Sequence, residues 1–443
     1  MSRSSAPPGS GPLSAAADTE VMSRVWGGTL AACLVLCASL AGLGGWHRFT
    51  SSSPALAAIS GADCAPRGDS AGRGSPSPGE QLIEAVLRRQ AHAVQRKDRA
   101  AYLSTWDTCL PRTRRAAFTT YHNLMALSVS GLRLSARGSH SSRVRVTWSI
   151  RDFSPHPAHG LVNFRFVQRD SQVKVAAVRS IAGEPAPMWI SGELTVRRAG
   201  QTLVAASSAA VAEELLAEFT SGRNAVTEVL GPWHRGLVVV APASIKAVEE
   251  ILGKTRADVQ RIAAVTTTLT DSRDAATGGR DASMPRLIVW NPLWRTQLSG
   301  VGGQFVTNHE LTHAVLGHLE QPLPVWLVEG LADYVALKST GVAGETVAGP
   351  ALREVRLHGL PRGFPTDEQF EPSSRRLAAR YAQAFLVNQL IAETFGEAAL
   401  LDFYQAASRR RGNVSKAMRL HLDISAEQLT QRWRRYVARM TDE

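Results

Sequence analysis

The chain is poor in cysteine, lysine and aromatic side chains, and each shortage narrows what it can be. Four cysteines occur in 443 residues, and two of them, Cys33 and Cys37, fall inside an apolar run. Only Cys64 and Cys109 remain. That is too few for a disulfide-stapled scaffold; in an oxidising compartment they can pair, and otherwise they are two unrelated thiols. Lysine is scarcer than arginine by 6 to 44, so arginine carries almost all of the basic side of a +12 net charge. Such a balance raises nucleic acid or an anionic surface as a partner. Aromatic residues make up 6% of the chain, and no arginine cluster is interleaved with them as a strand-binding platform would be. The clusters are short and scattered: Arg88-Arg89, Arg112 with Arg114-Arg115, Arg197-Arg198, Arg375-Arg376, Arg409-Arg410-Arg411 and Arg434-Arg435. They read as ordinary solvated faces, with attraction to anionic lipid headgroups the lesser reading. Nucleic acid is not an expected partner.

One long stretch lacks charge altogether. Val25 to Trp46 runs 22 residues without an ionisable side chain other than cysteine, with Trp26 and Trp46 at its ends. At about 1.5 Å per residue it just crosses a hydrocarbon core of roughly 30 Å, and tryptophan belongs at the two interfaces. A membrane anchor is expected over 25–46, behind a disordered tail (1–24) rich in Ser, Ala, Gly and Pro and ahead of a Gly/Ser/Pro linker (47–78). A large C-terminal part behind such a segment crosses the membrane whatever its flanking charges. The expected location is therefore the cell membrane, single-pass, with the folded part outside the cytoplasm. Cleavage of a signal peptide with its core at Leu30–Leu43, and secretion, is the alternative.

What is present is long enough for two to three domains, with 44% hydrophobic residues to fill their cores. Over 79–180, Leu82, Ile83, Val86 and Leu87 set a helical stripe that runs to about Lys97, and a short helix follows through Tyr102 and Trp106. Period-two alternation then predicts strands at Leu132/Leu134, Val144–Ile150, Val162–Phe166 and Val173/Val175. Helices followed by an antiparallel meander resemble the NTF2-like or SnoaL-like α+β cone. No acid–base pair stands out in this stretch, so it reads as a binding or positioning module.

Residues 189–443 carry longer signals. Helices are expected at Ala209–Leu230, Ser244–Leu252, Arg375–Thr394 and Ser425–Met440. Strands are expected at Leu237–Val240, Ile262–Thr266 and Arg286–Trp290, and Gly341–Pro365 reads as a Gly/Pro-rich loop. The fold class is α+β: a module of helices and meander, then a mixed-sheet lobe and a C-terminal helical lobe.

The chemistry concentrates in His309-Glu310-Leu311-Thr312-His313, followed by Trp326-Leu327-Val328-Glu329-Gly330-Leu331-Ala332-Asp333-Tyr334. On a helix, His309 and His313 project from one face and can grip one cation. Glu310 lies about 100° around from His309, out of line for a ligand but able to reach a water beside the metal. Glu329 offers an oxygen from a second helix, which leaves one position open, as in catalytic rather than structural zinc sites. Asp333, one turn after Glu329, can accept the spare N–H of a ligand histidine. Thr307 or Asn308 can cap the first helix, Gly302-Gly303 reads as a loop before it, and Gly317 marks its end.

These two segments resemble the gluzincins, the thermolysin-like metallopeptidases, and most closely the peptidase MA-like proteins of bacteria. The match covers about residues 286–338. It implies one zinc ion on His309, His313 and Glu329, Glu310 as general base and acid, Asp333 behind the first histidine, and a peptide or protein substrate. The spacing to Glu329 is short for the thermolysin type and requires a tight loop. Leu316 and Leu319 stand where a metzincin needs Gly and His; His318 is a weak rival to Glu329. No Gly-x-Met-x-Asn sequence supports recognition of a substrate amine end. In such enzymes a His or Tyr also donates to the oxyanion, which singles out Tyr381 here ahead of His358, and an edge strand pairs with the substrate, which singles out Arg286–Trp290 unless that strand is simply core. The expected function is zinc-dependent peptide-bond hydrolysis through a water activated by Glu310. The alternatives are a zinc amidase on a non-peptide envelope substrate and a membrane-anchored binding protein with a vestigial zinc site.

Overall fold

The computed structural model describes residues 79–442 apart from 137–141, 170–171, 270–283, 296, 299, 318–321, 372–373 and 410–411. The tail, the apolar run, the linker, Cys64 and His318 lie outside the described residues. Among the described helices none is long and apolar enough to cross a membrane. The fold is α+β, with two sheets followed by a helical region.

The first layer grows from local patterns. Helix α1 (Glu80–Gln95) buries Ile83, Val86, Leu87, Gln90, Ala91 and Val94, a stripe at helical spacing. Asp98 caps α2 (Arg99–Ser104) by accepting from the Ala101 N–H at 2.9 Å. Helix α3 (Pro111–Ala126) escaped the sequence reading because its buried side is Thr113, Ala117, Tyr121, Asn123 and Leu124, too small and polar to show a strong period. Strands β1 (Val129–Ala136), β2 (Arg143–Ile150), β3 (Ala158–Arg169) and β4 (Gln172–Arg179) form an antiparallel meander in that order. Val144, Val146, Trp148 and Ile150 point into the core while Arg143 and Arg145 face out. The space between helices and sheet closes to about 20 Å³, room for roughly one water.

The second sheet runs β5 (Thr195–Ala199), β6 (Thr202–Ala206), β7 (Leu237–Ala241), β9 (Arg286–Trp290), β8 (Ala264–Thr268), parallel at β6/β7 and β7/β9 and antiparallel at both ends. Helices α4 (Ala209–Leu230), α5 (Ile245–Leu252) and α6 (Arg256–Val259) connect its strands. Strand β9 lies between β7 and β8 with every residue buried, so it is a core strand, and among the described strands β8 holds the edge expected of Arg286–Trp290. The sequence hides this because β6, β7 and β9 are all buried on both faces and read as continuous apolar runs. Val204, Val239, Ile288 and Trp290 face the helical region. Leu203, Ala205, Val238, Val240, Leu287 and Val289 join the core of the first layer instead. The two regions therefore share packing. Asn123 Nδ2 donates to the carbonyls of Trp189 and Gly192 at 3.0 and 2.6 Å, its Oδ1 accepts from Leu194 N at 3.0 Å, and Trp189 meets Trp148 edge-on at 4.4 Å.

The helical region begins with α7 (Pro292–Arg295) and α8 (Val301–Leu316). Helix α8 has Gly300, at φ +60°, as its N-cap, seven and eight residues before the expected caps Thr307 and Asn308, and takes Gly302 and Gly303 inside. Gly303 is there for close approach: a Cβ would stand 2.6 Å from the Leu298 carbonyl. Helix α9 (Val325–Thr340) ends at Gly341, which adopts φ +68°. Helix α10 (Gly344–His358) occupies the stretch expected as loop. Its buried Val347, Ala348, Ala351, Leu352 and Val355 keep helical spacing through Pro350, so packing outweighs the one backbone bond proline removes. Helices α11 (Leu377–Phe395), α12 (Glu397–Ser408), α13 (Val414–Leu422) and α14 (Ala426–Asp442) complete the lobe, α14 burying Leu429, Trp433 and Val437.

Candidate metal centre

Helices α8 and α9 pack side by side, and their facing turns carry the site. His309 and His313 stand one turn apart on α8, and Glu329 enters from the second turn of α9. The three residues form a buried group whose ligand atoms lie within 4.8 Å of one another, able to hold a metal ion. His309 Nε2 is 2.9 Å from His313 Nε2, and each nitrogen is 3.3 Å from Glu329 Oε2. A tetrahedral ion with bonds near 2.0–2.1 Å separates its ligands by about 3.3 Å, so the triangle has the right size.

The donor set also has the right chemistry. Asp333 Oδ1 lies 2.8 Å from His309 Nδ1, which fixes that nitrogen as the protonated one beside a carboxylate and turns the lone pair of neutral His309 toward His313 and Glu329. Two imidazole nitrogens and a carboxylate oxygen, aimed at one point inside the protein, need a shared cation or proton. His309, Glu310, His313, Glu329 and Asp333 are at most 4% exposed. Burial alone would pull the His309 imidazolium down, but the Asp333 and Glu329 carboxylates hold its pKa up at about 10. Burial likewise works against the Glu329 carboxylate, yet His313 and His309 bring it down to about 2. Without a metal the pocket therefore holds a proton on His309 beside the Glu329 carboxylate, and a cation binding there would displace that proton.

Glu310 is held from a third element. Thr266, in the middle of edge strand β8, places its Oγ1 2.5 Å from Glu310 Oε2 and 3.1 Å from the Glu310 carbonyl oxygen. The other carboxylate oxygen, Oε1, is buried without a hydrogen-bond partner. Burial raises the Glu310 pKa, with the neighbouring imidazoles and the Thr266 bond pulling the other way. A buried carboxyl with one oxygen anchored and one unengaged is equipped to exchange a proton.

Two glycines let the ligand helices close in. A Cβ at Gly330, next to Glu329, would strike Asn388 Nδ2 and the Ala384 carbonyl on α11; one at Gly222 on α4 would lie 2.5 Å from Asn308 Oδ1 on α8. Asn308 donates to Ser339 Oγ at 2.7 Å, tying α8 to α9 rather than capping a helix start.

Tyr381 and His358 stand on two further helices, α11 and α10. Tyr381 is buried on α11, its ring edge-on to Phe370 at 5.3 Å. His358 ends α10, exposed, 4.0 Å from Glu354. Tyr404 on α12, not singled out in the sequence, is fully buried, and its hydroxyl is held protonated by burial and by the charge of Glu329. Thr266 was also missed: a threonine in a strand 44 residues before Glu310 carries no local signal.

Compared with protein-family models and with curated proteins, the chain matches none.

Proposed function

We propose that the chain is a zinc-dependent peptidase of the gluzincin kind. The observation that carries this is the convergence of His309 Nε2, His313 Nε2 and Glu329 Oε2 beside a buried general-base carboxylate, Glu310, that is no part of the triangle. Two nitrogens and one oxygen suit zinc, and three protein ligands leave a coordination position open. Zinc in such a site supplies Lewis acidity, acidifying water and polarising a carbonyl oxygen. Glu310 Oε1 takes the proton of the attacking water and later delivers it to the leaving amine, while Thr266 keeps Oε2 in place. Asp333 holds the His309 ring in one tautomer throughout. Among the described strands β8 is an edge, and an extended peptide adding along it would pass Glu310 beside Thr266. Cys109 is disulfide-bonded, which supports an oxidising compartment and hence the extracytoplasmic placement implied by an anchor at 25–46.

The test is metal content and cleavage of a mixed peptide library by the purified protein and its Glu310→Gln variant. One zinc per chain in both, with cleavage in the wild type alone, is expected. Zinc in both without cleavage moves the reading to a non-peptide amide; absence of zinc in both defeats it.

A further inference from the structure

The positive charge is not spread as the scattered arginine pairs suggest. Residues 79–180 hold 17 Lys and Arg against 6 Asp and Glu, a net +11, whereas 189–443 hold 28 against 27. Nearly the whole net charge of the chain therefore sits in the first module.

Strand register shows where much of it points. The partners Arg133↔Thr147, Ser135↔Arg145, Arg145↔Leu161, Arg143↔Asn163, Asn163↔Arg179 and Arg165↔Ala177 put five arginines on the outer face of the four-stranded sheet. The opposite face carries Val144, Val146, Val162 and Phe164 and belongs to the core. Arg133, Arg143, Arg165 and Arg179 are exposed and Arg145 is half-exposed. Among the described residues no strand position on this face is a carboxylate, and none of the five forms a salt bridge with a described residue. Each is paired across the strands with a neutral side chain, so like charges avoid direct opposition while the face stays cationic.

We propose that this sheet face docks on anionic phospholipid headgroups. A flat array of guanidinium groups without counter-charges matches a plane of phosphates. The face has no Phe, Tyr or Trp among these positions, so it offers no stacking platform for nucleic-acid bases. The chain outside the described residues favours the same partner. Thirty-two residues, 47–78, separate the apolar run 25–46 from the module, a span of at most about 110 Å, so a chain anchored there keeps the face within reach of a bilayer. Docking would set the height and tilt of the metal region, which packs on the same module. The proposal does not depend on what the metal centre does.

The test uses the full chain with a fluorescent donor at Ser135→Cys, an exposed position on this face, in lipid discs whose headgroups carry the acceptor; the chain without that substitution gives the background. Energy transfer is compared between phosphatidylcholine discs and discs containing phosphatidylglycerol. Retention in neutral discs reports the anchor alone, and the increment on adding phosphatidylglycerol reports the face. The increment is expected to fade as salt rises from about 0.1 to about 1 M, where screening shortens from roughly 10 to 3 Å. It should also drop about fivefold for each arginine replaced in the series Arg133, Arg143, Arg145, Arg165 and Arg179→Gln. These side chains lie outside both cores, so an unchanged melting temperature and metal content separate lost docking from lost fold. No increment with phosphatidylglycerol, or an increment indifferent to the five substitutions, overturns the proposal. Tight binding of a single-stranded oligonucleotide in the absence of any lipid increment overturns it in favour of nucleic acid.

Discussion

The module at 79–180 and the region at 189–443 use ionisable groups in opposite ways. The module is strongly basic, yet among its described residues it keeps its charge in water: the one buried carboxylate, Asp107, pairs with Arg169 at 2.9 Å, and most of the other arginines are exposed. The second region is nearly neutral, yet buries five ionisable side chains within two helices. Surface charge is tolerated singly because water solvates it, and its effect is long-ranged and weak. Buried charge persists only where each group compensates another, and there its effect is short-ranged and strong. In this protein net charge therefore marks an exposed face, and local compensation marks a buried group able to hold a metal ion.

The largest expected effect breaks the chemistry without touching the compensation. Glu310→Gln should lower peptide hydrolysis by about 10²–10⁴-fold with bound metal unchanged, measured as initial rate beside metal content. Equal rates would remove Glu310 from the reaction.

Chelation tests the compensation itself. Metal at about a thousandfold over its dissociation constant should contribute roughly 4 kcal/mol, so stripping it should lower the melting temperature of one cooperative transition, because the two regions share a core. Two separate transitions would show that the shared packing is not cohesive. In the stripped protein the His309 pKa, raised to about 10, stands above its unfolded value near 6.5. Its contribution is complete below about pH 6.5 and is lost as pH rises toward 10. Melting of the stripped chain should fall over that window, and melting of the loaded chain should not, since the metal has already displaced the proton.

Asp333→Asn should weaken metal affinity about 10–100-fold while leaving the three ligands in place, which a competition titration reads. Gly330→Ala should destabilise by about 1–3 kcal/mol through collision with α11, visible in denaturant midpoint. On the other side of the contrast, Asn123→Leu should destabilise by about 1–3 kcal/mol by leaving the Trp189 and Gly192 carbonyls and the Leu194 N–H unpartnered, with metal affinity unaltered. A change in metal affinity there would show the module bearing on the site.

Much of this architecture is legible in the chain. The helix at Ala209–Leu230 and the strand at Arg286–Trp290 match the structure at both ends because their apolar patterns are long or unbroken. Helix α3 was not, since its buried stripe is half polar, and α10 was not, since Gly349-Pro350 signals a turn that packing overrides. The placement of β9 could not be read, because strands buried on both faces carry no mark of their neighbours.

What the sequence by itself determined is whatever repeats within a few residues: the shared face of His309 and His313, the turn that links Glu329 to Asp333, the alternation that sends Arg143 and Arg145 outward, and the count of charges. These follow from the 3.6- and 2-residue periods of the backbone, which are local. Only the tertiary structure decided that Glu329 meets both histidines, that Thr266 reaches Glu310 from strand β8, and that the two regions share packing across one face of the second sheet. Those contacts join residues 16 to 44 positions apart or more. They depend on how closely helices approach at Gly222 and Gly330, and packing distance leaves no period in a sequence.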